Sequence, residues 1–169
     1  MAINCDILTG IPKDCDGNRG SILKLYVADE LSVTATTQSA STYTAIAADT
    51  DFVEVVFNRN AANYTTELSR EEVAGARTYT QTISCTIPRR EIAKRNSIML
   101  LGEGDRELFI IALDGNGIYW AFRNMILTGV GGGSGENRAA GSTFTLTFTG
   151  EAQELESDID STIISALIS

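Results

Sequence analysis

The sequence predicts a mainly β protein, a β-sandwich or barrel with one flanking α-helix. Residues 78–87 and 143–150 alternate apolar side chains with threonine or serine, the period of two expected of a half-buried strand. Residues 107–113 form an apolar run typical of a strand covered on both faces. The tetrapeptide DGNG that follows favours a tight turn into a second strand at 118–124. These patterns predict a core built from sheets.

The first half of the chain supplies further predicted strands. Residues 22–28 and 52–58 alternate apolar and polar side chains, and each predicts a strand. Residues 34–42 are rich in threonine, serine and alanine, which indicates a loop or a weak edge strand. A long hairpin is predicted at about 62–87, with residues 69–77 as its tip.

One internal helix is predicted at about 89–101. Pro88 suits the first turn of a helix, and Gly102 stands where a glycine commonly ends one. The outer face of this helix is basic. Two interpretations stay open, a solvated face or a contact with an acidic neighbour, and the residues are Arg89, Arg90, Lys94 and Arg95.

Composition restricts the possible functions. The 169 residues fit one domain, predicted to span 1–151 with an N-terminal arm at 1–21 and a C-terminal extension at 152–169. The sequence has no histidine, which excludes Ser-His-Asp and Cys-His catalysis and the commonest metal ligand. A net charge of -9 argues against a surface that grips nucleic-acid phosphates. The composition predicts a soluble protein without enzymatic activity.

The three cysteines do not indicate a cofactor. Cys5, Cys15 and Cys85 lack paired metal-ligand spacing, and we expect them to be reduced and structural, with Cys5 and Cys15 as the pair that could form a disulfide. The N-terminus has no signal-peptide pattern, and no apolar run approaches the ~20 residues of a membrane helix. We therefore expect synthesis in a cytoplasm, no membrane contact, and neither metal nor cofactor.

Several apparent motifs fail when their spacing is checked. Residues 129–142 are glycine-rich but match neither phosphate-binding motif, so they predict a flexible loop between strands. Residues 14–25 begin like a calcium loop, but Arg19 replaces the turn glycine and Leu25 the bidentate glutamate. The carboxylate pairs of the chain lie in segments predicted to be exposed. No catalytic constellation is predicted.

Two predicted strands carry a face of almost pure hydroxyl side chains. Threonine suits any half-exposed strand, and that is the simpler interpretation. The other is a face that meets an extended object without binding it, such as a lumen wall or a closely packed neighbour. The candidate residues are Thr78, Thr80, Thr82, Thr86, Thr143, Thr145 and Thr147.

The tip of the long hairpin concentrates charge. Arg70, Glu71, Glu72 and Arg77 surround a short apolar stretch. Such a tip is either a flexible protrusion or a stiff arm that reaches a neighbouring subunit through complementary charges.

The C-terminal segment is acidic and then apolar. Glu154 and Glu156 belong to a run of acids without a base, and Ser157 is a possible N-cap for a short helix that follows. The apolar end packs on its own domain, or it acts as an exchange arm that docks on an adjacent copy while the acids meet the basic helix face. The apolar candidates are Ile163, Ile164 and Leu167.

Four stretches together resemble the tail tube (major tail) proteins of tailed phages and prophages, notably those of Bacteroidetes hosts. They are CDILTGIPKDCDGNRGSILKLYVAD (5–29), TYTQTISCTIPRREIAKRNSIMLL (78–101), DGNGIYWAFRN (114–124) and TFTLTFTGE (143–151). The resemblance covers about residues 5–151 in order, and the segment after 151 matches no pattern of that family.

The resemblance implies a β-sandwich with a flanking helix, hexameric rings, and rings stacked into a hollow tube for DNA delivery. The inner wall would be built from subunit sheets, and DNA would pass without specific binding. The expected partners are further copies of the chain and other tail proteins such as sheath, neck or baseplate, and the expected location is the virion. We further expect Glu71→Lys/Glu72→Lys, or deletion of 157–169, to block polymerisation and leave the monomer folded.

Two alternatives accompany this expectation. A neck, terminator or baseplate protein with the same fold would form one ring without polymerising. A carbohydrate-binding or adhesive β-sandwich would need exposed aromatic side chains, but Trp120 lies in a strand predicted to be core.

Overall fold

Ten strands and two α-helices make up residues 17–168, the part of the chain that the computed structural model describes. Short 3-10 turns at Glu30–Ser32 and Glu103–Asp105 complete the secondary structure. The elements are β1 (Ile22–Asp29), β2 (Val33–Ser39), β3 (Thr42–Ala48), β4 (Val53–Val55), β5 (Ala62–Arg70), β6 (Arg77–Pro88), α1 (Ile92–Leu101), β7 (Leu108–Asp114), β8 (Tyr119–Gly133), β9 (Thr143–Ala152), β10 (Ser157–Ile159) and α2 (Ser161–Leu167).

The strands form one continuous mixed sheet that provides two layers. The first layer has the order β2-β3-β10-β8-β7-β1-β4, and the second has the order β5-β6-β9-β8. Strand β8 belongs to both layers, since its first half pairs with β7 and β10 and its second half with β9. The pairing of β10 with β3 is parallel, and the other pairings are antiparallel. The prediction of a mainly β fold with a flanking helix is confirmed.

Two hydrophobic clusters hold the layers together. The larger one joins the inward side chains of both layers, among them Leu25, Phe122 and Phe148, and α1 contributes Ile98. The smaller one lies on the other face of the first layer, where α2 covers Phe109 and its neighbours. The second layer has no such cover on its outer face within residues 17–168, which leaves that face available.

Both predicted hairpins form, and the tip of the long one narrows from 69–77 to residues 71–76. In the long hairpin, β5 and β6 pair continuously from Ala62 with Cys85 to Arg70 with Arg77. The turn between β7 and β8 is organised by the buried Asp114 carboxylate, which accepts hydrogen bonds from two backbone N–H groups of the turn, each at 2.9 Å. Trp120 Nε1 donates to the same carboxylate at 2.9 Å. These contacts fix the entry into β8.

The predicted start of the internal helix is wrong. Pro88 is the last residue of β6, and Arg89 has a left-handed backbone with φ of 60°, so neither opens a helix. Glu91 is the N-cap, and α1 begins at Ile92. The strand continues to Pro88, which pairs with Thr143 of β9. Proline has no backbone N–H to donate to a neighbouring strand, and at the end of a strand this interrupts no later hydrogen bond between β6 and β9. Arg89 and Arg90 therefore precede the helix.

Two other predicted boundaries also change. Residues 129–133 are not a loop, because Gly129 to Gly133 continue β8 and pair with β9. Only residues 134–142 form the connection. The strand predicted at 52–58 shortens to Val53–Val55, and Phe52 instead points into the smaller cluster.

The C-terminal segment is built into the sheet. Strand β10 lies between β3 and β8, and α2 follows with Asp160, not Ser157, as its N-cap. The side chains of Ile159, Ile164 and Leu167 are each about 95% buried in the smaller cluster. In this arrangement the segment packs on its own domain. Deleting 157–169 would uncover that cluster, so we no longer expect a folded monomer after the deletion.

Candidate assembly surface

The outer face of the second layer is made of hydroxyl side chains, and we call it the hydroxyl face. Directly paired residues of neighbouring strands share a face, so the pairs Thr65–Thr82, Thr82–Thr149 and Ser84–Thr147 run as rows across the layer. The face consists of Asn63, Thr65, Glu67 and Ser69 on β5, Thr78, Thr80, Thr82, Ser84, Thr86 and Pro88 on β6, Thr143, Thr145, Thr147, Thr149 and Glu151 on β9, and Ile126, Thr128 and the glycines 129, 131 and 133 on β8.

All seven predicted hydroxyl candidates lie on this one face. The residues that alternate with them along β6 and β9, such as Ile83, Cys85 and Phe148, point to the opposite side and into the larger cluster. Among its paired positions the face carries Glu67 and Glu151 and no lysine or arginine. The surface is therefore wetted, close to uncharged and slightly acidic, with no group that would hold a phosphate.

Two backbone edges flank the hydroxyl face. Among residues 17–168, β5 pairs only with β6, and the second half of β8, residues 126–133, pairs only with β9. Unpaired strand edges present rows of N–H and C=O groups that can pair with another chain. These edges depend on non-local pairing, which is why the sequence patterns did not reveal them.

The two edges are complementary in direction. Each step from β5 through β6 and β9 to β8 is antiparallel, so β5 and β8 run in opposite directions. A second copy in the same orientation can therefore place its β5 edge antiparallel to the β8 edge of the first. An odd number of antiparallel strands would not allow this match.

Apolar side chains are exposed beside both edges on the inner face of the layer. Leu68 on β5 is 50% exposed, and Val130 on β8 is 53% exposed. Met99 of α1 is also exposed and, with Val130, lines a groove of about 760 Å³ between α1 and the β8 edge. The pairs Val130–Leu146, Leu146–Cys85 and Cys85–Ala62 place Val130 level with Ala62. Leu68 lies about 20 Å further along the strands, so the two exposed side chains lie toward opposite ends of the layer.

The charged candidates fall into two separate groups. The tip residues Arg70, Glu71, Glu72 and Arg77 lie at one end of the second layer, where Glu71 N–H donates to the Ala76 carbonyl at 2.8 Å. Glu156 lies toward the same end and accepts from Thr66 Oγ1 at 3.0 Å, and Glu154 shares a polar cavity of about 600 Å³ with Thr78.

The basic candidates lie at the other end of the layer. Arg89 pairs with Glu91 at 3.0 Å, and the Arg90 guanidinium lies 4.1 Å from the centre of the Phe144 ring. Lys94 Nζ donates to the carbonyls of Pro88 and Arg89 at 2.6 and 3.2 Å. Within one chain, no ion pair in the described region joins these bases to Glu154 or Glu156. Of the apolar tail candidates, Ile163 is half-buried, and Ile164 and Leu167 are buried in the chain's own core.

Of the three cysteines, Cys85 lies within the described residues. Cys85 is a buried free thiol, and desolvation by burial raises its pKa to about 11. Cys5 and Cys15 lie outside the described residues, as does the start of the rejected calcium segment. In residues 17–168 no group of three acidic or cysteine side chains is placed to hold a metal ion, and no helix is long and apolar enough to cross a membrane.

No protein-family model matches the chain, and no curated protein is similar to it in sequence. Among solved structures, a chain from the virion of a native gene transfer agent particle aligns with 63% of this chain and 88% of its own length. The sequence identity is 10% and the TM-score 0.40. A likeness of this strength carries no argument about family or function.

Proposed function

We propose that the chain is a structural protein of a tailed-phage virion, whose copies close into hexameric rings that stack into the tail tube. The observation that supports this most is the hydroxyl face between two unpaired edges of matching direction. The sequence resemblance to tail tube proteins, stated on four stretches of the chain, points the same way.

Ring closure follows from edge pairing. If the β8 edge of each copy pairs with the β5 edge of the next, the four-stranded layers join into one antiparallel barrel. Six copies would give ~24 strands, and at about 4.8 Å per strand the backbone would enclose a circle about 37 Å across before strand tilt widens it. Barrels of 16–18 strands already hold open channels, so this one would be a conduit.

The hydroxyl face suits the wall of that conduit. In a ring its threonines would face the channel, and the larger cluster would lie outside the barrel wall. Hydroxyl groups hydrogen-bond water without attracting a polyanion, and Glu67 and Glu151 would repel one weakly. DNA would therefore pass without being retained. We expect no catalytic activity from this face.

Two alternatives differ from the tube in testable ways. A neck, terminator or baseplate ring would use the same edges but would not stack. A carbohydrate-binding sandwich has less support, because Trp120 packs against the larger cluster and its Nε1 is bonded to Asp114, which leaves no free aromatic platform at that position.

Electron microscopy of the purified full chain, with edge variants, tests the proposal. Wild type should form rings or tubes with an open centre. Leu68→Glu and Val130→Glu each put a charge beside one edge and should leave folded monomers, whereas Leu31→Glu, at a side chain 90% exposed on the first layer, should assemble like wild type. Assembly of both edge variants, or a wild type that never associates at high concentration, would contradict the proposal.

A further inference from the structure

The second layer carries opposite charge at its two ends. Its longest inner strand, β6, runs from Arg77 at the hairpin tip to Pro88 beside the start of α1. These ends lie about 36 Å apart at the usual rise per strand residue. Charges at one end are therefore several Debye lengths from those at the other in physiological salt, and each end acts on its own surroundings.

The tip end is acidic. Six carboxylates gather there on β5, the hairpin turn, β9 and the connection to β10, and only Arg70 and Arg77 oppose them. Arg123 borders the same cavity, but its Nε already donates to Glu30 at 2.8 Å. The acids are Glu67, Glu71, Glu72, Glu151, Glu154 and Glu156.

The opposite end is basic. At this end the strand pairing of the layer stops at the pairs Ala62–Cys85 and Pro88–Thr143. Three segments adjoin these pairs: the turn before β5, the segment from Pro88 into α1, and the connection between β8 and β9. Glu91 and Glu136 are the two acids in these segments. The bases are Arg59, Arg89, Arg90, Lys94, Arg95 and Arg138.

We propose that the acidic tip end of one copy docks on the basic end of another copy placed ahead of it along the strand axis. This inference rests on the proposed ring and adds the contact between rings. Both ends belong to the same chain, so the contact is heterologous and repeats without closing, as a tube requires. The residues named above give a net charge of -4 at one end and +4 at the other. Glu103 lines a groove with Arg95, and Asp51 lines a cavity with Lys94, so acids partly offset the positive end. The opposite signs favour head-to-tail over head-to-head contact.

The hairpin is suited to act as the contacting arm. The pairing of β5 with β6 is unbroken over nine residue pairs up to Arg70 and Arg77, so the tip is held by a stiff ribbon. Val73 at the turn is 97% exposed, so nothing in the described chain covers the tip. A stiff, uncovered, charged tip loses little conformational freedom when it docks.

A charge-swap experiment tests this contact. Variant A is Glu71→Lys/Glu72→Lys, which cancels the net negative charge counted at the tip end. Variant B is Arg89→Glu/Arg138→Glu, which cancels the net positive charge counted at the opposite end. The matched control is Asp49→Lys/Glu107→Lys, which changes net charge as variant A does but at exposed positions that border the first layer. Each protein is examined by electron microscopy and light scattering, alone and as a mixture of A and B.

The expected results separate this inference from the proposed ring. Variants A and B should each form single rings without stacks, and the control should stack like wild type. When preformed rings of A and B are mixed, the acidic end of B should dock on the basic end of A, so pairs of rings should form without growing further. Wild-type stacking should slow about tenfold or more when salt rises to about 0.5 M. Stacks of A or B alone, or rings of wild type that do not stack at low salt, would overturn the head-to-tail contact and leave the ring intact. A wild type that forms no ring at all would overturn both.

Discussion

The hydroxyl of Thr128 on β8 lies 2.9 Å from the hydroxyl of Thr149 on β9. Thr149 is in turn paired with Thr82 of β6, so a hydroxyl row crosses three strands of the layer. Such a row hydrogen-bonds within itself and to water, and it offers no charge to a passing polymer. A channel lined by this face would therefore not retain a polyanion.

Placing lysines on the hydroxyl face should make the channel hold DNA. Assembled Thr82→Lys/Thr147→Lys particles should co-sediment with duplex DNA at low salt and release it as salt rises, because released counterions drive phosphate binding. Wild-type particles and Thr82→Ser/Thr147→Ser particles should not retain DNA. Equal retention by wild type and the lysine variant would contradict a non-adhesive face.

The C-terminal helix should contribute substantially to stability. Ile164→Ala removes a side chain that is 5% exposed in the smaller cluster and should lower the free energy of unfolding by about 2–4 kcal/mol. Ile163→Ala, at a half-buried neighbour, is the control and should cost less. Urea unfolding followed by circular dichroism measures both. Full stability after deletion of 157–169 would show that the segment does not belong to this core.

Asp114 should be the main polar support of the β7–β8 turn. Asp114→Ala leaves the Trp120 indole N–H and two turn N–H groups without their acceptor, so we expect a loss of about 2–4 kcal/mol in the free energy of unfolding. Tryptophan fluorescence should report a changed environment in the folded state. Asp49→Ala, on an exposed loop, should leave stability nearly unchanged, and a similar effect of both substitutions would argue against this role.

The parts of the fold that sequence patterns predicted are those with strict local periodicity. The hydroxyl alternation in β6 and β9 and the turn at Asp114 fix side-chain direction without reference to distant residues. Glycines 129–133 were misassigned because their strand state comes from pairing with β9, a non-local partner. Sequence alternation identified the hydroxyl side chains of each strand separately. That they lie on one face between two unpaired edges follows from the order of the strands in the sheet, which the sequence patterns do not specify.

Alkaline pH should destabilise the folded chain. Burial raises the pKa of Cys85 from 9.0 to about 11, and burial with nearby Glu156 and Asp114 raises that of Tyr64 from 10.0 to about 12. The folded state thus holds protons that the unfolded state releases, so stability is full below pH 9 and falls as pH rises through these values. The urea concentration at the unfolding midpoint should fall as pH rises from 9 to 11, and it should fall less steeply in Cys85→Ala. In Tyr64→Phe the fall should be reduced only above pH 10. The same dependence of the midpoint on pH in wild type and both variants would contradict these pKa shifts.

The mass of the smallest assembled particle tests the central claim most directly. Edge pairing that closes on itself yields one species, and open edge pairing yields a ladder of sizes. In the variant Glu71→Lys/Glu72→Lys we expect stacking to be blocked, and native mass spectrometry should show six copies of the 18.1 kDa chain at about 109 kDa. A monomer at all concentrations, or a continuous ladder without a dominant closed species, would contradict the ring.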